Sequence, residues 1–372
     1  MKGMFAWFRG SHSTPLFRVR FPLLLSLCSG ICLFGPPLRA AVPKGVFSLA
    51  TAGHPCAETV LQNPDVDGVS IRQDWADLEP SEGAFDWSFL DSEVSRAAAA
   101  GKQVLLRINT QASKPAWVTA AVTEAGGTFY TFLSDGVETT IPVYWDPTFL
   151  AKKKAMITAL GAHFTNNPAI VIVWTSFANA HSEDWSVPHT PSDIEEWHQV
   201  GYTTDKLLDA GKQIIDTTMT AFPKQYVTLA IAGSGSLDPD PNYAARNAIL
   251  AARATWPGRL IVQKNNISSF NPPAPGIGTV FEPLWDSRPD IGGQMLWNCS
   301  VDPSYRMNNG IADEPAAILH RSVNAGAAYE MNFIEIYQID VLYLPDEIAY
   351  AHKLLLGILT VPKPPSGLGV DP

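Results

Sequence analysis

The sequence has few basic residues, with Lys and Arg numbering 26 against 36 Asp and Glu in 372 residues. The formal net charge of −10 does not suggest a polyanionic partner, so we expect no nucleic-acid binding. Cysteine is also scarce, with four residues. No pair of Cys or His residues has the spacing of a metal site, so the sequence predicts no metal and no cofactor.

The apolar run at residues 21–35 is too short to span a bilayer comfortably. It follows a stretch, residues 1–20, that holds four basic residues and no acidic one, and it precedes small residues at Ala40 and Ala41. This order is typical of a secretory signal peptide, and the alternative is a retained membrane anchor. We therefore expect residues 1–40 to be a signal peptide. The mature protein would be secreted or periplasmic, without stable membrane insertion.

Cleavage after residue 40 would remove five basic residues and no acidic one, which changes the net charge from −10 to −15. It would also remove two cysteines and leave Cys56 and Cys299. Export makes a disulfide chemically possible, although two cysteines far apart in sequence more often stay unpaired. The sequence leaves this pairing open.

Residues 41–362 contain no repeat or low-complexity linker, and β-rich runs alternate with helical runs as in βαβ units. Residues 363–372 are rich in Pro and Gly and are expected to be a flexible tail. The pattern predicts an α/β fold, a single (β/α)8 TIM barrel over residues 41–362. The eight strand candidates are residues 45–50, 67–75, 103–110, 169–176, 225–233, 259–266, 292–299 and 332–339.

Two connections after predicted strands are long, at residues 111–147 and 177–200. Loops that follow the strands form the active face of such a barrel. We therefore expect these two connections to shape a substrate cleft.

Two segments carry a family resemblance. Residues 68–117 include "WADLEPSEGAFDW", "GKQVLLR" and "PAW", and residues 144–174 read "YWDPTFLAKKKAMITALGAHFTNNPAIVIVW". Both resemble (β/α)8 retaining glycosidases such as the family 42 β-galactosidases and their family 5 relatives. The resemblance implies a carbohydrate substrate, and an arginine of strand two supports the catalytic nucleophile in those enzymes. The resemblance therefore implies that Arg72 supports the nucleophile. The alternative is that Arg72 forms a surface ion pair.

The acid/base position departs from the resembled pattern. Those enzymes place an Asn-Glu pair a few residues after the strand-four tryptophan, but Phe177 and Ala178 stand there after Trp174. The loop instead offers Asn179, His181 and Glu183, followed by Asp184. Glu183 is our candidate general acid, because hydrolysis of a glycoside requires two carboxyl groups flanking the scissile bond. The alternative is an ordinary exposed loop acid.

The nucleophile position departs as well, because residues 292–299 contain no acidic residue. The nearest candidate is Glu335, which shares a strand face with Phe333 and Tyr337 by period-two alternation. A carboxylate between apolar neighbours is costly to bury without a purpose or a partner. We expect Glu335 to be the nucleophile or charge stabiliser, and the alternative is a structural pair with Arg72. Asp340 and Glu282 are reserves.

Flat aromatic rings and strand-end amides complete the expected substrate-binding set. The functional hypothesis is a glycoside hydrolase acting on a poly- or oligosaccharide. The alternatives are an inactive exported barrel that binds glycan and a lyase with His181 or Tyr337 as base. The expected substrate-binding residues are Arg72, Trp75, Asn109, Trp174, Asn179, His181, Gln294, Trp297 and Tyr337, together with the strand-end Gln263, Asn265 and Asn298.

Overall fold

The computed structural model describes residues 41–134, 137–175, 187 and 190–360. Eight of its strands pair in parallel and close into a barrel in chain order, which confirms the predicted fold class. β4 and β5 lie outside the barrel as an antiparallel pair. The strands are β1 Gly45–Leu49, β2 Gly68–Asp74, β3 Gln103–Asn109, β4 Phe129–Ser134, β5 Val137–Pro142, β6 Ile170–Trp174, β7 Tyr226–Ala230, β8 Leu260–Ile267, β9 Ile291–Met295 and β10 Phe333–Tyr337.

Helices alternate with the barrel strands, and short helices or turns of 3₁₀ helix (Gly235–Leu237 and Arg306–Asn308) lie in several connections. Among the described residues, none of these helices is long and apolar enough to cross a membrane. The α-helices are α1 Glu58–Leu61, α2 Trp75–Leu78, α3 Ser88–Ala99, α4 Ala116–Glu124, α5 Pro147–Phe164, α6 Pro191–Gln199, α7 Thr204–Ala221, α8 Tyr243–Thr255, α9 Phe281–Trp285, α10 Pro315–Ala328, α11 Gln338–Tyr343 and α12 Pro345–Leu355.

Helix starts follow local sequence signals. Asp146 caps α5 by accepting a hydrogen bond of 2.8 Å from the Phe149 amide, and Pro147 occupies the first turn, where no amide donor is needed. Thr190 and Asp193 form a capping box at the start of α6.

The barrel interior has an apolar floor. Phe47, Leu105, Ile172, Ile261 and Phe333 are buried there, and the Phe47 and Phe333 ring centroids lie 5.2 Å apart. Residues of the opposite strand face pack against the helices in a second, larger cluster. The inward-facing polar residues lie farther along the strands, toward their carboxyl ends, as Glu335 does two residues after Phe333.

The strand register at the barrel closure positions the mouth. β1 pairs with β10 over five residues, from Gly45–Phe333 to Leu49–Tyr337. β2 pairs with β3 over seven residues, which places Arg72 beside Arg107 and Asp74 beside Asn109. These pairs bring the polar ends of β2, β3 and β10 to one rim.

Candidate active site

Glu335 lies inside the barrel, on the eighth barrel strand and directly above the apolar floor. Its side chain is fully buried, while Ile334 and Ile336 pack outward in the helix-facing core. Gln263 of β8 donates a hydrogen bond from Nε2 to Oε2 of Glu335. Burial raises the pKa of Glu335, and the charge of Arg107, the hydrogen bond from Gln263 and the charge of Arg72 act in the opposite direction.

Among the groups that lower the pKa of Glu335, Arg107 on β3 has the largest effect, and the sequence did not predict a role for it. Its Nη1 donates to Gln294 Oε1 over 3.1 Å, and its guanidinium lies 4.1 Å from the centre of the Trp174 ring. Trp174 and Gln294 are both nearly buried. Arg107 ends the "GKQVLLR" run, but its register beside Arg72 is seen only in the strand pairing.

Arg72 does not form the expected ion pair with Glu335. Within the described residues its Nε donates to the Ala50 carbonyl over 2.7 Å, and it takes part in no salt bridge. Burial, and then the neighbouring Arg107, lower the pKa of Arg72 to about 10. The predicted structural pair between Arg72 and Glu335 is therefore wrong. Arg72 lowers the pKa of Glu335 only from a longer distance.

Tyr337 and Trp297 form an aromatic pair at the rim. Their ring centroids lie 5.4 Å apart, and Trp297 is 39% exposed, so its ring is accessible to a ligand. Arg306, from the connection after β9, lies 5.4 Å from the centre of the Trp297 ring. Burial raises the pKa of Tyr337, which favours the neutral phenol and disfavours its use as a base.

Asn109 lies at the same rim and donates a hydrogen bond to a neighbouring carboxylate. Its Nδ2 donates to Asp74 Oδ1 over 2.7 Å, and both side chains are half-buried. Asp74 is therefore a second carboxylate at the mouth, and it was not predicted from the sequence. The remaining amides are more deeply placed: Gln263 Nε2 also approaches Asn265 Oδ1 at 3.2 Å, and Asn298 is buried.

Trp75 was expected to stack on sugar, and the structure corrects this. β2 ends at Asp74, so Trp75 begins α2 and its side chain turns into the core, where it is fully buried. Its Nε1 donates to Glu79 Oε2 over 2.7 Å, and its ring meets Trp117 edge-on.

The two reserve acids have structural partners. Asp340 is fully buried and accepts hydrogen bonds from the Cys299 and Ser300 amides and the Ser300 hydroxyl. Glu282 forms an ion pair with Arg246 on the helical surface. Both carboxylates are therefore used in structural contacts and not at the mouth.

The remaining predicted residues, Glu183, Asn179 and His181, lie outside the described residues, as does Asp184. Their assignments stay predictions. In the part of the chain that the structure covers, no group of three or more His, Cys, Asp and Glu residues could hold a metal ion. Cys56 and Cys299 are both free and buried, and burial raises the pKa of the Cys56 thiol to about 12.

Comparison with known proteins agrees with this architecture. The β-galactosidase family model of glycoside hydrolase family 42 matches residues 59–210. The catalytic domain of β-amylase from Paenibacillus polymyxa has 10% identity and a TM-score of 0.58, over 86% of this chain and 100% of that chain. Xylanase B from Clostridium stercorarium F9 has 14% identity and a TM-score of 0.49, over 79% and 86% respectively.

The family match covers β2, β3 and β6, the strands whose residues carried the resemblance in the sequence, and the β-amylase overlap supports the barrel fold. The resemblance of this region to the family 42 β-galactosidases is therefore confirmed, and the chain folds as a (β/α)8 barrel.

Proposed function

We propose that the protein hydrolyses glycosidic bonds of a poly- or oligosaccharide at the mouth formed by β2, β3, β9 and β10. The observation that carries this proposal is the buried Glu335 carboxyl, which lies beneath an aromatic pair at the carboxyl ends of the strands. Active sites of such barrels are built at that end. Carbohydrate is thus the proposed partner.

The surroundings of Glu335 suit a carboxylate that stabilises positive charge on a sugar ring. Arg107, Arg72 and Gln263 all favour its ionised form, so these groups oppose the effect of burial. An oxocarbenium-like transition state needs such a negative charge beside it. Glu335 would serve as nucleophile or charge stabiliser.

The second carboxyl group of the proposal is Glu183. It follows β6, whose last residue, Trp174, packs beneath the Arg107 guanidinium. A loop that leaves the strand at this point starts at the mouth. Glu183 would then act as general acid/base, with its pKa raised by burial or by a neighbouring acid.

A second candidate follows from the complete burial of Glu335. A carboxyl with no exposed surface and a raised pKa also suits a structural group beneath a binding surface. The protein would then be a barrel that binds glycan through Trp297 and Tyr337 without cleaving it.

Release of reducing sugar from a panel of polysaccharides and aryl glycosides tests both candidates. The purified protein is compared with Glu335→Gln, Glu183→Gln and the control Glu124→Gln, which changes an exposed acid at the end of α4. Hydrolysis requires activity that is lost in the first two variants and kept in the control. Retained glycan binding without activity on any substrate would favour the second candidate.

Export is part of the same proposal. The support is the sequence of residues 1–40, with its basic leader, short apolar run and small residues before position 42. A polysaccharide too large to enter a cell would meet the protein outside the cytoplasm.

A further inference from the structure

The rim of the mouth concentrates positive charge in a protein of net charge −10. Arg72 and Arg306 reach the rim from β2 and the connection after β9, and Arg107 of β3 lies buried beneath it. All three lie close enough to Tyr337 to favour its phenolate electrostatically. The charges of distant segments therefore converge on one aromatic ring, although the chain as a whole is acidic.

The Arg72–Arg107 pair is unfavourable by itself. The two residues are direct register partners on adjacent parallel strands, and like charges at such positions repel. Arg107 lowers the pKa of Arg72, as expected for close cations. Glu335 and Asp74 offset part of this repulsion, and an anionic group beside the Nη atoms of Arg72 would add to that compensation.

Arg72 has donors available for such a group. Its Nε is used by the Ala50 carbonyl, while neither Nη1 nor Nη2 donates a hydrogen bond within the described chain. The Nη atoms are also absent from the buried unsatisfied polar atoms of this region, so they are accessible. A guanidinium with two accessible Nη groups matches the bidentate geometry of a carboxylate.

Arg306 adds a cation above an aromatic face. It lies against Trp297, is exposed, and forms no ion pair through its side chain among the described residues. The flanking Tyr305 and Asn309 both have left-handed backbone conformations, with φ of 50° and 54°. Such backbone strain is retained where the surroundings fix the conformation. In this connection the Ser269 amide and hydroxyl fix it by donating hydrogen bonds to the Met307 carbonyl.

Within the part of the chain that the structure describes, the acids near this rim accept hydrogen bonds from neighbouring groups. Glu335 accepts from Gln263 and lies below the mouth, and Asp74 accepts from Asn109. Asp302 accepts from the Arg306 amide and the Ser304 hydroxyl.

We propose that Trp297 and Tyr337, with Arg72 and Arg306, form a subsite for a sugar residue that carries an anionic group, a uronate carboxylate or a sulfate ester. The aromatic pair would stack on the sugar ring while the guanidinium groups hold the anion. This inference rests on the proposed function, because it names the substrate class of the same mouth.

Binding is measured by calorimetry with the full protein and three ligands of equal length: an oligouronate, a neutral oligosaccharide and its sulfated derivative. The oligouronate or the sulfated ligand should bind about tenfold more tightly than the neutral one at low salt, and this preference should shrink as salt rises. The tighter of the two charged ligands identifies the anion. Equal or tighter binding of the neutral ligand, or no binding of either charged ligand, would overturn the subsite.

Variants locate the effect. Arg72→Gln should weaken binding of the preferred anionic ligand about tenfold or more, as expected for loss of a charged hydrogen bond. Arg306→Gln, at an exposed position where folding is safe, should weaken it about threefold. The matched control is Arg288→Gln, which removes another arginine stacked on a tryptophan, 3.2 Å from the Trp285 ring centre, before β9. An equal effect of Arg306→Gln and Arg288→Gln would contradict the proposal.

The two proposals fail separately. Cleavage of neutral glycans without binding of either charged ligand would leave the hydrolase proposal intact and overturn the anionic subsite. Arginine-dependent binding of a charged ligand without cleavage of any substrate would support the subsite and contradict hydrolysis.

Discussion

Lys114 lies in the connection after β3, and its charge is poorly compensated. Its Nζ reaches the Thr140 carbonyl only at 3.4 Å, and burial lowers its pKa to about 8, below the ordinary value of 10.5. Between these two values the unfolded chain binds more protons than the folded one, so this group makes stability rise with pH.

Lys114→Met should therefore raise the melting temperature at pH 7, because it removes a partly buried charge from the folded state. The gain should shrink at pH 9.5, where the folded lysine has lost its proton. Thermal unfolding at both pH values checks this, with Lys212→Met at an exposed position of α7 as control. A gain of the same size at both pH values would contradict the explanation.

Asp340 holds the connection after β9 at Cys299 and Ser300, just past Trp297. In the parent protein the Asp340 carboxylate accepts hydrogen bonds from the Cys299 and Ser300 amides. Asn at this position turns an N–H group toward one of these amides, so one hydrogen bond is lost. We expect Asp340→Asn to lower the free energy of unfolding by about 1–3 kcal/mol. Urea unfolding measures it, and an unchanged midpoint would show that these hydrogen bonds contribute little.

Single-residue predictions succeeded where strand alternation decides orientation. Glu335 and Tyr337 do share the inward face of β10, as the period-two pattern indicated. The prediction for Trp75 was wrong because the strand predicted from the sequence included Trp75, whereas α2 begins at this residue in the structure. Arg107 was missed because its significance depends on the register with Arg72, which no single segment shows.

At the scale of elements, all eight barrel strands were predicted to within a few residues, because buried parallel strands read as short apolar runs. The β4–β5 pair inside the 111–147 connection was not predicted. Its strands are rich in Thr and lack a continuous apolar run. The Asp135-Gly136 dipeptide between two β-rich runs was the available hairpin signal.

The packing of α5 on α7 depends on a glycine. A Cβ atom at Gly161 would lie 2.5 Å from both the Cβ and the carbonyl oxygen of Ala221, so the helices would have to separate. Gly161→Ala should destabilise the protein by about 1–3 kcal/mol despite the better helix propensity of alanine. Ala162→Ser, exposed on the same helix, is the control for chemical unfolding. Stabilisation by Gly161→Ala would show that this crossing can adjust.

At the scale of the whole molecule, barrel closure and export are separate questions. Closure is held at the amino-terminal end, where Asp67 accepts from the Val46 amide and contacts the His352 Nδ1 of α12 at 2.9 Å. These contacts join the first and last segments of the barrel without residues 1–40, so a cleaved chain would keep them.

We therefore predict that the protein recovered outside the cytoplasm begins near Ala41 or Val42. Cleavage there removes five basic residues and leaves the acidic barrel. Intact mass and amino-terminal sequencing of the exported protein are the measurements. Recovery of the chain with residues 1–40 still attached, in a membrane fraction, would instead indicate a retained anchor.

The most direct test of the account is the kinetic effect of Glu335→Gln on the best glycoside of the panel, with glycan affinity measured in parallel. The account predicts that kcat falls by about 10²–10⁴-fold, as for loss of a catalytic carboxyl, while the Kd for the glycan changes little. Retention of the parent kcat in a folded Glu335→Gln variant would contradict it and remove Glu335 from the catalytic site.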